Sequence, residues 1–358
     1  MRYKITLSYD GSGFCGWQIQ SGAATVQECL EQALSALLRS PVSVTGAGRT
    51  DSGVNAIGYV AHFDLPEATA SAPSVTDDIK DVRAMEPALL SYKLNAILPP
   101  SIVIHAVTPV PDGFHARFDA SQRKYTYFLH RMKDPFVEKY SLRRDWALDF
   151  EAMNRAAALL VGRHDFACFQ KTGTDVKTSV CTVTEAFWAP YTPTHVSLMG
   201  FAPAAPEPTW PASRPQGAGM HPDGECSLQA SGGPGPGSAC ASGGIPRRVT
   251  SLPPEAEALP GLDTAGWRYA YFRISADRFL RNMVRAVVGT LLEVGRGKRS
   301  VEDFATLILP VSDETAGTPA ESLRSRAGDS VPGHALFLSK VDYPAPLPAV
   351  QEEVVAHK

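Results

Sequence analysis

The amino-acid sequence predicts an α+β fold in two halves, and three observations carry the prediction. Strand-like alternation over Arg2–Asp10 gives way to a helix-period run from Val26 to Arg39, then to strand-like runs at Val42–Thr45 and Ala56–Asp64. Strand, helix and strand in that order place a helix against one side of a sheet. A strand followed by a helix returns loosely from Trp267 to Leu292, without a residue-level repeat. Inside that second half the composition breaks: residues 203–261 hold twelve prolines and ten glycines.

In the first strand Tyr3, Ile5, Leu7 and Tyr9 alternate with Lys4, Thr6 and Ser8, the period of a half-buried strand. Asp10-Gly11-Ser12-Gly13 ends it as a turn, and Phe14 to Gln20 mixes aromatics with amides, too polar for simple core. Thr25-Val26-Gln27-Glu28 reads as a capping box. Val26, Leu30, Ala33, Leu34, Leu37 and Leu38 then line one helix face. Residues 65–86, rich in Ala, Pro, Ser and acids, read as a surface excursion. Leu89–Leu98 is a short helix stopped by Pro99-Pro100, and Ile102–Val107 is a strand.

Arg123–Leu129 alternates as a strand with Tyr125, Tyr127 and Leu129 on one face. Phe150–Gly162 has helical Ala and Leu spacing, His164–Lys171 is polar-aromatic, and Thr178–Trp188 is strand-like. The 203–261 segment cannot bury enough apolar surface to offset its ordering entropy, so a disordered insertion is expected there. Because Trp267–Ser275 resumes as a strand, the insertion is expected in a loop between neighbouring strands. Asp277–Leu292 reads as a helix burying Phe279, Leu280, Met283, Val284, Val287 and Leu291. Arg278, Arg281 and Arg285 would then share roughly one stripe. Ser300-Val301-Glu302-Asp303 opens another capped helix, residues 312–330 are loop-like, and Ala335–Asp342 is a closing strand. The chain thus divides into a first half (1–110), a connecting segment (111–145), a second half (146–345) carrying the insertion, and a tail (346–358).

Composition bounds the function. Apolar content of 44% and charged content of 20% are those of an ordinary globular protein, and no run approaches the ~18 apolar residues of a membrane helix. Met1-Arg2-Tyr3-Lys4-Ile5 leads straight into a strand without an apolar signal core. The six cysteines form no C-x-x-C pair, so reduced thiols and a cytoplasmic location are expected. The nine histidines show no H-x-x-x-H spacing, and no metal is expected. A net charge of −3 conceals two basic windows: residues 115–144 hold eight Lys/Arg against three acids, and residues 268–299 hold eight against two. Such windows are either solvated faces or the footprint of a surface for phosphate backbones.

Gly46-Ala47-Gly48-Arg49-Thr50-Asp51-Ser52-Gly53-Val54-Asn55 sets an arginine and an aspartate two residues apart in a loop studded with glycine. It is either a polar turn or a rigid presenter of those side chains. It is not a dinucleotide fingerprint, because Asp51 stands where the third glycine is required. The run His115-Ala116-Arg117-Phe118 to Leu129 interleaves basic and aromatic residues. A tyrosine there is either strand packing or a platform for a base drawn out of its helix.

Several separated segments share one likeness. They are Tyr9-Asp10-Gly11 with Gly16-Trp17-Gln18, the Gly46–Val54 loop, Leu94-Asn95 with Leu98-Pro99, and His115-Ala116-Arg117-Phe118 with Tyr125. His164-Asp165-Phe166, Phe279–Gly289 with Met283-Val284-Arg285, and Leu336–Pro344 follow in the second half. In this order they resemble the tRNA pseudouridine synthase A family, which isomerises uridines in the tRNA anticodon arm. The resemblance implies two ferredoxin-like α+β halves with joined antiparallel sheets and a central basic cleft. It implies a cofactor-independent homodimer whose partner is tRNA, with one tRNA touching both subunits and no further protein partner. It also makes Asp51 the nucleophile, Tyr125 the residue stacked on the target uracil and a candidate for handling the C5 proton, and Arg285 the partner of Asp51.

The chemistry suits those residue types. Breaking the N1–C1′ bond builds positive charge at C1′, which a carboxylate traps or stabilises, and a nearby guanidinium favours the ionised carboxylate. An aromatic face holds a planar base while letting it turn in its plane. Phosphate contacts must set the register on the RNA, and Arg49, Arg117, Arg123, Lys124, Arg278 and Arg281 are the candidates, with Lys171 and Lys177 behind them. One departure is Asn55, where the family often has histidine; loop support or RNA contact is expected of it. The competing readings are a non-catalytic tRNA-binding or tRNA-folding protein on the same scaffold and, more remotely, a nucleoside hydrolase. An anionic Asp51 in a site built only for RNA affinity argues against the first, and two basic segments argue against the second.

Overall fold

Residues 1–65, 86–173, 178–199, 267–311 and 323–344 are described by a computed structural model. The 203–261 segment, Lys177, the 346–358 tail, and most of the 65–86 and 312–330 stretches lie outside the described residues. The described chain builds one mixed sheet. Its strands are β1 (Arg2–Tyr9), β2 (Val44–Gly46), β3 (Asn55–Asp64), β4 (Ile102–Val110), β5 (Gln122–His130), β6 (Leu142–Arg143), β7 (Gly162–Asp165), β8 (Val180–Pro190), β9 (Tyr269–Ala276) and β10 (Leu336–Asp342). The helices are α1 (Val26–Leu38), α2 (Pro87–Ile97), α3 (Phe150–Ala158), α4 (Thr194–Met199), α5 (Met283–Gly295) and α6 (Val301–Ala305).

The order across the sheet is β4-β1-β3-β10-β5-β9-β8-β7, with β2 beside β3 and β6 beside β5. The pairs are antiparallel except β3–β10 and β5–β6. Strand β10 is the joint. It pairs with β3 at Leu338↔Ala56 and with β5 at Leu338↔Tyr125, so the exit of the Asp51 loop and Tyr125 stand two strand spacings apart, about 10 Å. Two hydrophobic clusters flank this joint. One packs α1 and α2 onto β1, β3 and β4; the other packs α3, α5 and α6 onto β5, β8 and β9; Tyr125 touches both.

Local chemistry explains most boundaries. The Thr25 hydroxyl accepts from the Glu28 N–H at 3.3 Å to start α1, and Ser300 and Asp303 form a reciprocal capping box at α6. Helix α5 departs from the sequence expectation: it begins at Met283, not Asp277. Asn282 adopts φ 66°, which breaks any helix running through Arg278–Arg281. Eleven of the thirteen α5 residues are buried, leaving only Arg285 and Glu293 partly exposed. At Gly289 a Cβ would lie 1.7 Å from the Asp329 carbonyl oxygen, so residues 328–331 rest directly on the helix backbone. Helix α3 likewise stops at Ala158, four residues short of Gly162, which opens β7 at φ 121°.

The insertion does lie between neighbouring strands. β8 and β9 pair as far as Pro190↔Ala270, and the Tyr191 N–H donates to the Tyr269 carbonyl at 3.1 Å. Joining residue 202 to residue 262 is therefore expected to leave a folded protein, more stable by about 1 kcal/mol through the smaller closure entropy. Thermal unfolding checks this, and aggregation of the shortened chain would show that the segment is structural.

Below β3, the buried His62 ring accepts from the Ala116 N–H at Nδ1, 3.1 Å. Burial, and next the Arg2 charge, pull its pKa from 6.5 down to about 4. The unfolded chain takes up this proton below 6.5 and the folded one only near 4, so His62 contributes stability above pH 6.5 that is lost as pH falls towards 4. Urea midpoints measured across that window are expected to fall less steeply in His62→Gln, which keeps an acceptor. Equal slopes in the two proteins would rule the assignment out.

Candidate active site

The loop between β2 and β3 is held from several sides. The Ala47 N–H donates to the Val60 carbonyl at 2.8 Å, the Trp17 N–H to the Thr50 carbonyl at 3.2 Å, and the Gly53 N–H to the Phe14 carbonyl at 3.3 Å. The Tyr9 hydroxyl bonds the Thr50 hydroxyl at 2.9 Å, and the Tyr59 hydroxyl donates to the Gly48 carbonyl. Gly16, at φ 90°, lets the chain pass where a Cβ would sit 2.4 Å from the Thr50 carbonyl oxygen. The polar-aromatic Phe14–Trp17 stretch is thus the backing of the loop, with Trp17 buried and stacked on Tyr59 at 4.1 Å.

Asn55 also belongs to this framework. Its buried side chain accepts from the Gly11 N–H at 2.8 Å and donates to the His334 carbonyl at 2.7 Å. One amide therefore ties the loop exit to the turn after β1 and to the segment entering β10.

Asp51 is left about one quarter exposed between two guanidiniums. Its Oδ2 lies 3.3 Å from Arg285 Nη1, and its Oδ1 lies 3.9 Å from Arg281 Nε. Arg285 is aimed by a second bond, from Nε to the Val331 carbonyl at 2.7 Å, while the Val331 N–H donates back to the Arg285 carbonyl at 3.2 Å. Arg281 comes from the turn before α5, where its carbonyl accepts from the Lys171 N–H at 3.1 Å. The sequence placed Arg281 on RNA and only Arg285 on the aspartate; the break at Asn282 brings both to the carboxylate.

Tyr125 is half-buried on β5, its ring perpendicular to Phe279 with centroids 5.0 Å apart. Burial first, and the Asp51 charge second, raise its pKa and keep the phenol protonated.

The basic candidates separate into three groups. Arg49 and Arg117 are exposed, Arg278 is half-buried, and none of the three has an acidic partner among the described residues. Arg123 is a strut: Nη1 donates to the Ala120 carbonyl at 2.9 Å and the Asp277 carbonyl at 2.7 Å, and Nη2 to the Ala47 carbonyl at 3.0 Å and that of Arg117. Both terminal nitrogens are thereby committed to backbone carbonyls. Lys124 lies on the other face of the sheet, 3.3 Å from Glu185, because neighbours on a strand point to opposite sides. The basic windows are likewise divided: Lys139 pairs with Asp10 at 2.7 Å and Arg299 with Glu293 at 3.0 Å.

A large, mostly antiparallel open sheet, with a loop carboxylate facing a helix arginine beside a strand tyrosine, is consistent with the pseudouridine synthase fold. A family model described as "tRNA pseudouridine synthase" matches residues 5–119 and 156–344; Asp51 and Arg285 fall within these ranges and Tyr125 between them. The tRNA pseudouridine synthase A of Porphyromonas gingivalis is 38% identical over 346 residues, covering 97% of this chain and 98% of that protein. That of Bacteroides thetaiotaomicron is 37% identical over 343 residues (96% and 91%), and that of Bacillus licheniformis 32% over 347 residues (96% and 99%). The chain belongs to the tRNA pseudouridine synthase A family. Among its described residues, no helix is long and apolar enough to cross a membrane.

Proposed function

We propose that this chain converts uridine to pseudouridine in the anticodon stem-loop of tRNA, with Asp51 as nucleophile and without a cofactor. The observation that carries the reading is the carboxylate of Asp51 on a braced loop, 3.3 Å from a guanidinium that is itself aimed by the Val331 carbonyl. As the N1–C1′ bond breaks, its electron pair leaves with the uracil and Asp51 bonds or stabilises C1′. The base turns, C5 bonds C1′, and the carboxylate is released. The C5 proton then departs and N1 gains one, so the overall change is an isomerisation. Tyr125 supplies the face against which the base turns, and its phenol, held protonated, acts as a donor. The freed Asp51 carboxylate is the base available at C5.

Arg49, Arg117, Arg278 and the exposed edge of Arg281 carry the phosphate contacts, while Arg123 braces the loop and Lys124 takes no part. The two hydrophobic clusters on either side of β10 support a reading as two ferredoxin-like halves with a basic cleft between them. A homodimer with each tRNA touching both subunits is the assembly we propose, tested by sedimentation with and without tRNA. The reaction is tested by mapping pseudouridine in total tRNA from cells with and without this protein. Loss confined to the anticodon arm is expected; an unchanged map would sink the proposal.

A further inference from the structure

Phe118 is 74% exposed, yet it sits on a turn that fixes it. The His115 N–H donates to Asp119 Oδ2 at 2.8 Å, and the Asp119 N–H returns to the His115 carbonyl at 3.0 Å. His115 Nδ1 faces the N–H groups of Arg117 and Phe118 at 3.2 and 3.3 Å, so the ring proton resides on Nε2. From below, the Tyr343 hydroxyl donates to the Ala116 carbonyl at 2.7 Å. The His115 ring lies against one face of Phe118, centroids 4.2 Å apart and tilted by 34°, and the Arg117 guanidinium lies 5.7 Å from the ring centre. Arg123 joins this turn to the Asp51 loop, since its Nη2 donates to the carbonyls of both Arg117 and Ala47.

A single exposed apolar side chain needs no explanation. A ring already ordered by its own turn, backed by an imidazole, flanked by a guanidinium and tied to the nucleophile's loop is a prepared surface. Ordering it before a ligand arrives reduces the cost of binding. Its chemistry fits a planar, electron-rich partner next to a phosphate. We infer that Phe118 is a stacking site for an unpaired nucleobase of the RNA, beside the uridine that enters the Asp51 site. Unstacking the target base costs a few kcal/mol, and a neighbour stacked on Phe118 recovers part of that cost. This inference rests on the proposed RNA substrate and adds a second contact, outside the reaction centre.

The test uses the full chain and an anticodon stem-loop RNA carrying 5-tritiated target uridine, with 2-aminopurine in place of a neighbouring base. Phe118→Leu is expected to lower kcat/KM for tritium release by roughly ten- to a hundred-fold and to remove the 2-aminopurine quenching on binding. Phe118→Tyr and Phe118→Trp are expected to stay within about threefold of wild type, since each keeps an aromatic face. Leucine behaving like wild type in both readouts would overturn the inference. So would equal losses in all three variants together with a lowered Tm, which would make the turn structural. A changed oligomeric state in Phe118→Leu with unchanged quenching would make Phe118 a protein contact. Wild-type protein that releases no tritium would refute the proposed reaction instead, and the quenching comparison would still decide the stacking.

Discussion

Asp51→Asn is expected to lower pseudouridine formation by about 10⁴-fold or more while leaving tRNA bound, the scale on which removing a nucleophile acts. Asparagine keeps the size of the side chain and one oxygen to face Arg285, so the loop, braced through Thr50, Gly53 and Asn55, has no reason to move. What disappears is the negative charge that, in the proposed reaction, bonds or stabilises C1′. Affinity is expected to hold or rise slightly, because an anion among phosphates is removed. Tritium release from C5-labelled tRNA measures the chemistry and fluorescence anisotropy measures the binding. Activity within tenfold of wild type would exclude Asp51 as the nucleophile, whereas loss of both readouts together would point to misfolding of the loop.

Arg285→Lys is the second large effect. The guanidinium serves two partners in one plane, the Val331 carbonyl through Nε at 2.7 Å and Asp51 through Nη1 at 3.3 Å. An ammonium on a flexible stem cannot hold both directions at once. The charge is retained, so any loss reports aim rather than electrostatics alone. A fall of about 10²–10³-fold in kcat is expected, comparable to removing one preorganised donor elsewhere, with KM little changed. The unpaired Val331 carbonyl adds a stability cost of about 1 kcal/mol. Single-turnover rates separate the step from product release, and a kcat within threefold of wild type would mean that Arg285 only neutralises its surroundings.

The order of strands and helices was legible because alternation and caps are local. The Thr25 and Ser300 starts and the Tyr125–Leu129 alternation were all written into neighbouring residues. The Asp51–Arg285 pair became legible only through likeness to a family, since nothing within either segment names its partner 234 positions away. The misplaced start of α5 has a different cause. Phe279 and Leu280 fit the helical period, and the positive φ that stops the helix sits on Asn282, a residue type tolerant of that conformation but not dependent on it. The same break turns Arg281 towards Asp51, a second neighbour of the carboxylate that a continuous helical stripe did not suggest. The same alternation that put Tyr125 on one face put Lys124 on the other, where it meets Glu185. Arg123 carried no such signal, since backbone carbonyls leave no trace in composition. Asn55, a departure of which loop support or RNA contact was expected, is the amide that locks the loop exit.

The place of β10 bears on how the protein is made. It inserts between β3 and β5, and its approach is sealed by an Asn55–His334 bond spanning 279 residues. Contacts so distant along the chain close late, after local helices and hairpins have formed. A ribosome-bound chain that has not yet released residues 328–342 therefore lacks the carbonyl that aims Arg285, the anchor for Asn55 and the strand that brings Tyr125 beside the loop. With the roles proposed for Asp51, Tyr125 and Arg285, activity waits for β10, the last strand among the described residues, and doubles as a report that synthesis has run through it.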